Sequence, residues 1–331
     1  LTYSVACASS SVAIAEAALV GISIPMHTAA RLAISLARRI RRLNPAVHIA
    51  FYGLYADPLT ETLLRDGLAD RRLEGLVAAD RFADVTPMQV SAPVAGLRAA
   101  PALDAEQEDQ LLFGETFDVL FETGEFAFGQ ARRDRYVGYA PIEALSAPVL
   151  PPEHRVSALR TYAFAEPDIK SAIVGLYSLN ALVTVQAREG RFVKGARTGW
   201  FVEHHLDPIG RFETDYVAVA ERFLGAPYQW GGRESLGLDC SALVQQALYA
   251  CGRACPRDTD LQRGFFPEIA EAERRRGDLV FWKGHVAILL DPDTILHANA
   301  HHMAVAIEPL AEAIARIEAA GVGAPLGYRR I

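Results

Sequence analysis

The chain has 331 residues, a length that suits two to four small folded domains. Hydrophobic residues make up 51% and charged residues 22% of it, a composition that excludes a disordered protein. The net charge of −7 argues against a general nucleic-acid-binding protein and against binding to an anionic membrane surface. No run of 18 apolar residues predicts a membrane-spanning helix, so we expect neither nucleic acid nor membrane as a partner.

The first 80 residues predict an α/β segment, whose role the sequence leaves open. Residues 28–43 place apolar side chains on one face and arginines opposite, as an amphipathic helix does. Residues 48–56 predict a buried strand and residues 59–68 a second helix. There is no Gly-x-Gly-x-x-Gly motif, so no cofactor is expected. The apolar stretch at residues 4–26 has no basic residue before it and is interrupted by Glu16, which predicts no export signal and a cytoplasmic protein.

Residues 86–147 and 155–207 predict two similar units of short strands separated by turn residues. The stretch at residues 111–120 is echoed by residues 176–185, and further pairs follow at the same interval. A repeat of roughly 60 residues built from short strands predicts two small β-barrels. These barrels resemble bacterial Src-homology-3 (SH3)-like domains, and a proline-rich linker at residues 148–152 separates them.

Residues 212–331 predict an α+β domain in which a cysteine begins a helix. Apolar residues at helical spacing follow Cys240, so its thiol lies at a helix N-terminus, where the helix dipole lowers the thiol pKa. His285 opens a strand after a glycine turn, and His297 lies on the strand that follows. A cysteine and two histidines placed in this way fit a nucleophile, a general base and a residue that orients the base.

Strand geometry sets a condition on the two histidines. Side chains alternate between the faces of a strand, so His285 and His297 share a face only if the turn around residues 291–294 leaves an odd loop or a bulge intervenes.

Five motifs in order carry a resemblance to a known family. They are Tyr228-x-Trp230-Gly231-Gly232, Asp239-Cys240-Ser241, Arg275-x-Gly277 with the Asp278 strand, Gly284-His285-Val286-x-Ile288 and Leu296-His297-Ala298. Residues 212–331 resemble the NlpC-type cell-wall peptidases, which are papain-like cysteine enzymes. The resemblance implies an α+β fold in which a papain-like catalytic domain follows two SH3-like barrels and the α/β segment. It implies Cys240, His285 and His297 as the catalytic residues, and we therefore expect the odd loop between the two histidine strands.

The sequence predicts no metal site. His301 and His302 lie close to His297, but no carboxylate lies nearby in the sequence to complete a site with them. The thiol mechanism that the resemblance implies requires no metal.

The resemblance also implies residues that bind the substrate. In relatives that require a free amino end, the acid before the cysteine faces the substrate ammonium, a role that falls here to Asp239 with the help of Ser241. Two further positions match family motifs: Thr259, and Tyr228 near the oxyanion region. The first barrel is expected to close one end of the cleft, with Glu115 and Tyr139 contributing to substrate binding. Core packing for Tyr228 and an exposed surface carboxylate for Glu115 remain as alternatives.

The implied function is that of a cysteine endopeptidase acting on murein (peptidoglycan) peptides. It would hydrolyse the γ-D-glutamyl–diamino acid bond of peptides with a free N-terminal L-Ala, in cell-wall peptide recycling. Two alternatives stay open: a thiol amidase or acyltransferase on the same scaffold, and a non-catalytic wall-binding module. The sequence does not decide between diaminopimelate and L-Lys as the third substrate residue, nor the oligomeric state.

Overall fold

The computed structural model describes residues 63–331 and, before them, the backbone of three strands. It divides into two units, residues 1–85 and 86–331. The three early strands, Thr2–Val5, Leu19–Ser23 and His48–Tyr52, pair in parallel in that order. The last of them confirms the beginning of the strand predicted at residues 48–56, whereas the helix predicted at residues 28–43 lies outside the described residues.

The helix predicted at residues 59–68 is wrong where the structure describes it. Leu64–Arg65 and Leu68–Asp70 are antiparallel strands. Asp66 and Gly67 between them both have positive φ, 51° and 73°, as the central residues of a type I′ hairpin turn do. The Asp-Gly pair therefore decides the local structure against the apolar spacing around it. Leu68–Asp70 also pairs in parallel with Arg81–Ala83, and a 3-10 turn at Arg71–Leu73 lies between these two strands.

Residues 86–147, called here the first β-module, form one antiparallel sheet of seven strands. In chain order these are Thr86–Val90, Val94–Arg98, Gln107–Leu112, Thr116–Thr123, Phe126–Ala131, Val137–Pro141 and Leu145–Ser146. A 3-10 turn at Ile142–Ala144 precedes the last strand. Alternate side chains such as Leu97, Leu111 and Phe117 fill its interior, as the period of two along a strand requires.

Residues 154–208, the second β-module, contain a five-stranded and a three-stranded antiparallel sheet. The strands are His154–Val156, Arg160–Phe164, Ile173–Ser178, Leu182–Val183, Val185–Glu189, Phe192–Gly195, Trp200–Val202 and Leu206–Pro208, with a 3-10 turn at Glu203–His205. Phe201, Tyr177 and Val193 lie at the centre of its core.

The remaining residues form a six-stranded antiparallel sheet between helices. The helices are α1 (Tyr216–Glu221), α2 (Cys240–Ala250), α3 (Thr259–Phe265) and α4 (Leu310–Ala319). In spatial order the strands are Glu268–Ile269, Gly327–Arg330, Asp278–Trp282, His285–Leu289, Thr294–Asn299 and Ala304–Pro309. A 3-10 turn at Glu271–Glu273 and the short pair Arg233–Glu234 and Gly237–Leu238 complete this part of the chain.

Both faces of the central strands are covered, which explains their unbroken burial. One face packs against α2, where Leu243 and Val244 meet Phe281 and Ile288. The other face packs against the apolar stripe of α4, including Leu310. Helix α2 is buried along all eleven residues, so its first residue is held rigidly against the sheet. Within the part of the chain that the structure describes, no helix is long and apolar enough to cross a membrane.

Candidate active site

Helix α2 begins at the cysteine that the sequence singles out. Asp239 is the N-cap, and its Oδ1 accepts a hydrogen bond from the Ala242 amide at 2.9 Å. This is the usual way in which an aspartate satisfies an amide that has no acceptor within the helix. Cys240 is therefore the first helical residue, and its own amide also has no acceptor within the helix.

The hairpin brings the two histidines together on one face. Leu289 pairs with Ile295, so five residues, 290–294, separate the last paired positions, and the expected odd loop is confirmed. The Nε2 atom of His285 lies 2.8 Å from the Nδ1 atom of His297. The structure thus places these two predicted residues in direct hydrogen-bond contact.

The cysteine thiol lies against the start of the same strand. The Val286 amide, one residue after His285, faces the Cys240 sulfur and favours its ionised form. Thr259 Oγ1, at the start of α3, lies 3.9 Å from the Cys240 sulfur. Packing of α2 on the sheet therefore brings the three predicted catalytic residues to one place.

The thiol and the imidazole are both neutral in this environment. Burial, followed by the charge of Asp239, raises the pKa of Cys240 to about 11. Burial, followed by the charge of Arg316, lowers the pKa of His285 to about 4. The expectation of a lowered thiol pKa is wrong, because loss of solvent around a side chain that is only 6% exposed outweighs the helix N-terminus. A thiolate at Cys240 would therefore require the transfer of its proton to a nearby base.

A carboxylate and a guanidinium extend the histidine pair. His297 Nε2 lies 2.7 Å from Glu308 Oε1, and Arg316 of α4 donates to the same oxygen. Sequence reasoning missed Glu308. The alternation of side chains along a strand could have indicated it. Ala306 is directly opposite His297, so Glu308, two residues further along, lies on the same face of the sheet as His297.

Glu308 also changes the argument about metal. His297, His302 and Glu308 offer ligand atoms within 4.8 Å of one another, so a carboxylate does lie beside these histidines, contrary to the reasoning from the sequence. Both ring nitrogens of His297 are, however, already within hydrogen-bond distance of His285 and Glu308.

A cleft of about 440 Å³ opens beside the cysteine. All four predicted substrate residues of the catalytic domain, Tyr228, Asp239, Ser241 and Thr259, line it together with Cys240. Its other walls are formed by Glu106, Glu108 and Tyr136 from the first β-module, and by Trp230, Gly231, Arg257, Asp258, Asp260, Lys283 and Gly284. Burial, with the neighbouring Cys240 and Asp239 charges, raises the pKa of Tyr228, so its hydroxyl keeps its proton and can donate.

Asp239 does not offer a free charge to the cleft. Arg257 donates to both of its carboxylate oxygens, at 2.9 and 2.5 Å, and Ser241 Oγ donates to Oδ1 at 3.1 Å. The Nε atom of Arg257 donates to Asp109 of the first β-module at 2.5 Å. One buried arginine therefore joins the acid beside the nucleophile to the neighbouring module.

Glu115 and Tyr139 are not brought to the cleft, which corrects the prediction for both. Glu115 is 2% exposed and binds Arg133 at 2.8 Å, the Leu112 amide at 3.1 Å and Arg233. Tyr139 is buried in the module, with its ring 4.9 Å from that of Phe128.

The first β-module reaches the cleft through other residues. Gln107 Nε2 donates to the Trp230 carbonyl at 3.3 Å, and Gln110 Oε1 accepts from the Arg233 amide at 2.7 Å. The strand Gln107–Leu112 thus docks on the loop before α2 and carries Glu106 and Glu108 to the cleft. The acidic residues between positions 106 and 109 were the feature of the sequence that could have indicated this contact with the cleft.

Comparison with known proteins gives two family matches. Residues 225–322 match the NlpC/P60 family, and residues 97–145 match the bacterial dipeptidyl-peptidase SH3 domain. Over 235 residues the chain is 28% identical to dipeptidyl-peptidase 6 of Lysinibacillus sphaericus, which covers 63% of this chain and 86% of the relative. It is 26% identical over 229 residues to the γ-D-glutamyl-L-lysine dipeptidyl-peptidase of Bacillus subtilis, covering 62% of this chain and 77% of the relative.

One solved structure is similar over most of the chain. A crystal structure of an NlpC/P60 family protein from Bacillus cereus superposes with a TM-score of 0.63, covering 74% of this chain and 99% of that protein at 18% identity. At that identity the likeness shows a shared fold.

Proposed function

The chain carries an NlpC/P60 domain and a bacterial dipeptidyl-peptidase SH3 domain, and we propose that it is a cysteine endopeptidase acting on murein peptides. The bond cleaved is the one between γ-D-glutamate and the following diamino acid, in peptides with a free N-terminal L-Ala. The observation that carries the proposal is the cleft itself, in which Cys240 lies near the Lys283-Gly284 turn that precedes His285, and acids of the first β-module form another wall.

The geometry supports an acyl-transfer mechanism. As the Cys240 sulfur attacks the γ-carbonyl carbon, its proton passes to His285, and the carbonyl oxygen becomes an oxyanion. The Cys240 amide, which has no acceptor within the helix, is placed to stabilise that oxyanion. The amino group of the diamino acid leaves with the proton from His285. Water, deprotonated by His285, then hydrolyses the thioester and releases L-Ala-γ-D-Glu.

The charges along the cleft support a substrate with a free amino end. Arg257 neutralises Asp239, and Glu106 and Glu108 line the module side of the cleft beside Tyr136. We therefore assign amino-end recognition to these residues rather than to Glu115 and Tyr139. A carboxylate in a partly desolvated wall gains more from a cationic partner than one on an open surface.

Two further assignments complete the proposal. The second β-module repeats the strand-rich pattern of the first, and we assign it as a second SH3-like domain. A cleft with one wall formed by another module suits short released peptides better than cross-linked wall, so we place the activity in peptide recycling in the cytoplasm. The 26% identical relative bears a name that specifies the same γ-D-glutamyl linkage, which supports the choice of bond.

The test is mass spectrometry after incubation with L-Ala-γ-D-Glu-diaminopimelate, its L-Lys analogue and the N-acetylated form of each. We expect L-Ala-γ-D-Glu and the free diamino acid from the unmodified peptides. Acetylation removes the ammonium and should lower kcat/KM by on the order of a hundredfold.

Cys240→Ala should abolish hydrolysis, whereas Cys251→Ala, at the far end of α2, should retain it. Release of a different fragment would instead indicate an amidase, and transfer to an added amine an acyltransferase. Equal cleavage of acetylated and free peptides would refute the amino-end assignment.

A further inference from the structure

Four side chains form one hydrogen-bonded line behind the cysteine. His285 Nε2 lies 2.8 Å from His297 Nδ1, and His297 Nε2 lies 2.7 Å from Glu308 Oε1. Arg316 donates to that same Glu308 oxygen. The Glu308 and Arg316 side chains are 10% and 27% exposed, so the outer end of the line is largely shielded from water.

The line allows only one arrangement of protons when both rings are neutral. A carboxylate accepts hydrogen bonds and cannot donate them, and a neutral imidazole carries one N–H and one bare nitrogen. His297 Nε2 must therefore hold the proton that faces Glu308, which makes His297 Nδ1 an acceptor. His285 Nε2 must then donate to it, and His285 Nδ1 is left bare.

Burial keeps both imidazole rings neutral. Burial lowers the pKa of His285 to about 4 and that of His297 to about 2, and the charge of Arg316 acts in the same direction on both. The other titratable groups that act on this pair are Asp239, which favours a charged His285, and His301 and His302, which disfavour a charged His297.

We propose that Glu308, held by Arg316, is a positioning residue that sets the tautomers of His297 and His285 so that His285 Nδ1 is the bare nitrogen available to the Cys240 proton. Without an acceptor at Glu308, His297 can carry its proton on Nδ1 instead. His285 Nε2 would then accept, its proton would move to Nδ1, and the ring would have no free base for the thiol. The inference rests on the proposed roles of Cys240 and His285 but not on the identity of the substrate.

The same atoms provide a conservative variant. Both His297 Nε2 and Arg316 contact Glu308 Oε1, so Glu308→Gln retains the acceptor if its amide oxygen takes that place between two donors. Glu308→Leu removes the acceptor at similar size. Glu312→Leu, which removes an exposed acid from the first turn of α4, is the matched control for the loss of a negative charge.

The experiment measures the histidine tautomers directly. Long-range ¹H–¹⁵N spectra of the ¹⁵N-histidine-labelled protein near pH 7 should show wild-type His285 and His297 as Nε2–H tautomers, and Glu308→Gln should match them. Glu308→Leu should show an Nδ1–H population on both rings. The kcat/KM of Glu308→Leu should fall by on the order of a hundredfold, with that of Glu308→Gln and Glu312→Leu within a few fold of wild type.

Alkylation of Cys240 by iodoacetamide gives a readout that needs no substrate, and it should slow in Glu308→Leu alone. An Nδ1–H tautomer on wild-type His285 would overturn the inference, even if Glu308→Leu does not fold. So would a folded Glu308→Leu protein with unchanged tautomers and alkylation, since Glu308 would then only join a strand to α4. If the tautomers are as expected but no murein peptide is cleaved, the proposed function fails and this inference stands.

Discussion

At the scale of the residue, Cys240, the proposed nucleophile, is held in a site that opposes its ionisation. Cys240 has the favourable place at a helix N-terminus, but it also has Asp239 beside it and almost no contact with water. Since burial raises the pKa of the thiol and the neighbouring carboxylate raises it further, the folded protein holds a neutral thiol beside a neutral imidazole. In the proposed mechanism, proton transfer from Cys240 therefore depends on which nitrogen of His285 carries the imidazole proton.

The raised thiol pKa predicts the pH dependence of Cys240 alkylation. Only the thiolate reacts with iodoacetamide, so the rate should rise with pH above neutrality and level off near pH 11, the pKa to which burial raises this thiol. The measurement is a time course of labelling, quenched at intervals and analysed by peptide mass spectrometry, which distinguishes Cys240 from the half-buried Cys251. A rate that is already level between pH 6 and 8 would show a preformed thiolate–imidazolium pair and contradict the prediction.

At the scale of the element, local signals decided what could be predicted. The helix start at Cys240 and the glycine turn before His285 are each encoded within a few neighbouring residues, whereas the odd loop before His297 was expected from the family resemblance. The period of two along a strand then fixes the face of each side chain. Those three residues could therefore be placed from the sequence. Glu308 follows from the same alternation, but only once the pairing of its strand with the His297 strand is known.

Where sequence prediction failed, a competing signal or a distant partner decided the structure. The helix predicted at residues 59–68 gives way to the Asp66-Gly67 turn. Glu115 appeared as a candidate ligand because the sequence cannot show which loop a barrel strand docks on. Its partner Arg233 is 118 residues away in the chain, and a contact over that separation produces no repeating pattern in the sequence from which it could be predicted.

The lowered pKa of the buried His285 predicts that the free energy of unfolding decreases in acid. The pKa of His285 is about 4 in the folded chain, below its ordinary value of 6.5, because the ring is buried. The unfolded chain therefore binds more protons between these pH values, and the free energy of unfolding falls as the pH drops from 6.5 towards 4. At 1.36 kcal/mol per pKa unit, His285 alone contributes about 3 kcal/mol to that fall.

Urea denaturation at pH 7.0 and 4.5 measures this effect. Carboxylates also titrate in the range, so the informative quantity is the difference between wild type and His285→Gln. The variant should lose less stability than wild type on acidification, because glutamine has no proton to gain. An identical loss in both proteins would mean that His285 is not held neutral by the fold.

At the scale of the whole molecule, buried charges join the first β-module to the catalytic domain. Arg257 lies between Asp109 of the module and Asp239 beside the nucleophile, and Arg233 lies among Glu115, Asp134 and Asp109. Such ion pairs contribute little net stability, but breaking one leaves an uncompensated buried charge. The module is therefore held in one orientation, and that orientation puts Glu106 and Glu108 at the cleft. Substrate selection in the proposed function is thus a property of two domains together.

A place where the backbones of the two domains lie close together gives the last prediction. Gly231 has φ +64°, and a Cβ atom there would lie 2.4 Å from the Gln107 carbonyl oxygen. Gly231→Ala must therefore push the strand Gln107–Leu112 away from the cleft. Gly225→Ala is the matched control, because φ is +81° there but no atom lies within 4 Å of the added Cβ.

Both variants should lose stability, by about 1 kcal/mol for the strained backbone alone. Only Gly231→Ala should displace the acids that we assign to the substrate ammonium. For the free tripeptide, its kcat/KM should fall by on the order of tenfold or more, while the N-acetylated tripeptide, which makes no ion pair there, should be cleaved almost as before. The ratio of the two rates is the measurement, and it should be preserved in Gly225→Ala. If both variants change the ratio equally, backbone strain rather than module docking is responsible, and the selection of free amino ends must come from the catalytic domain alone.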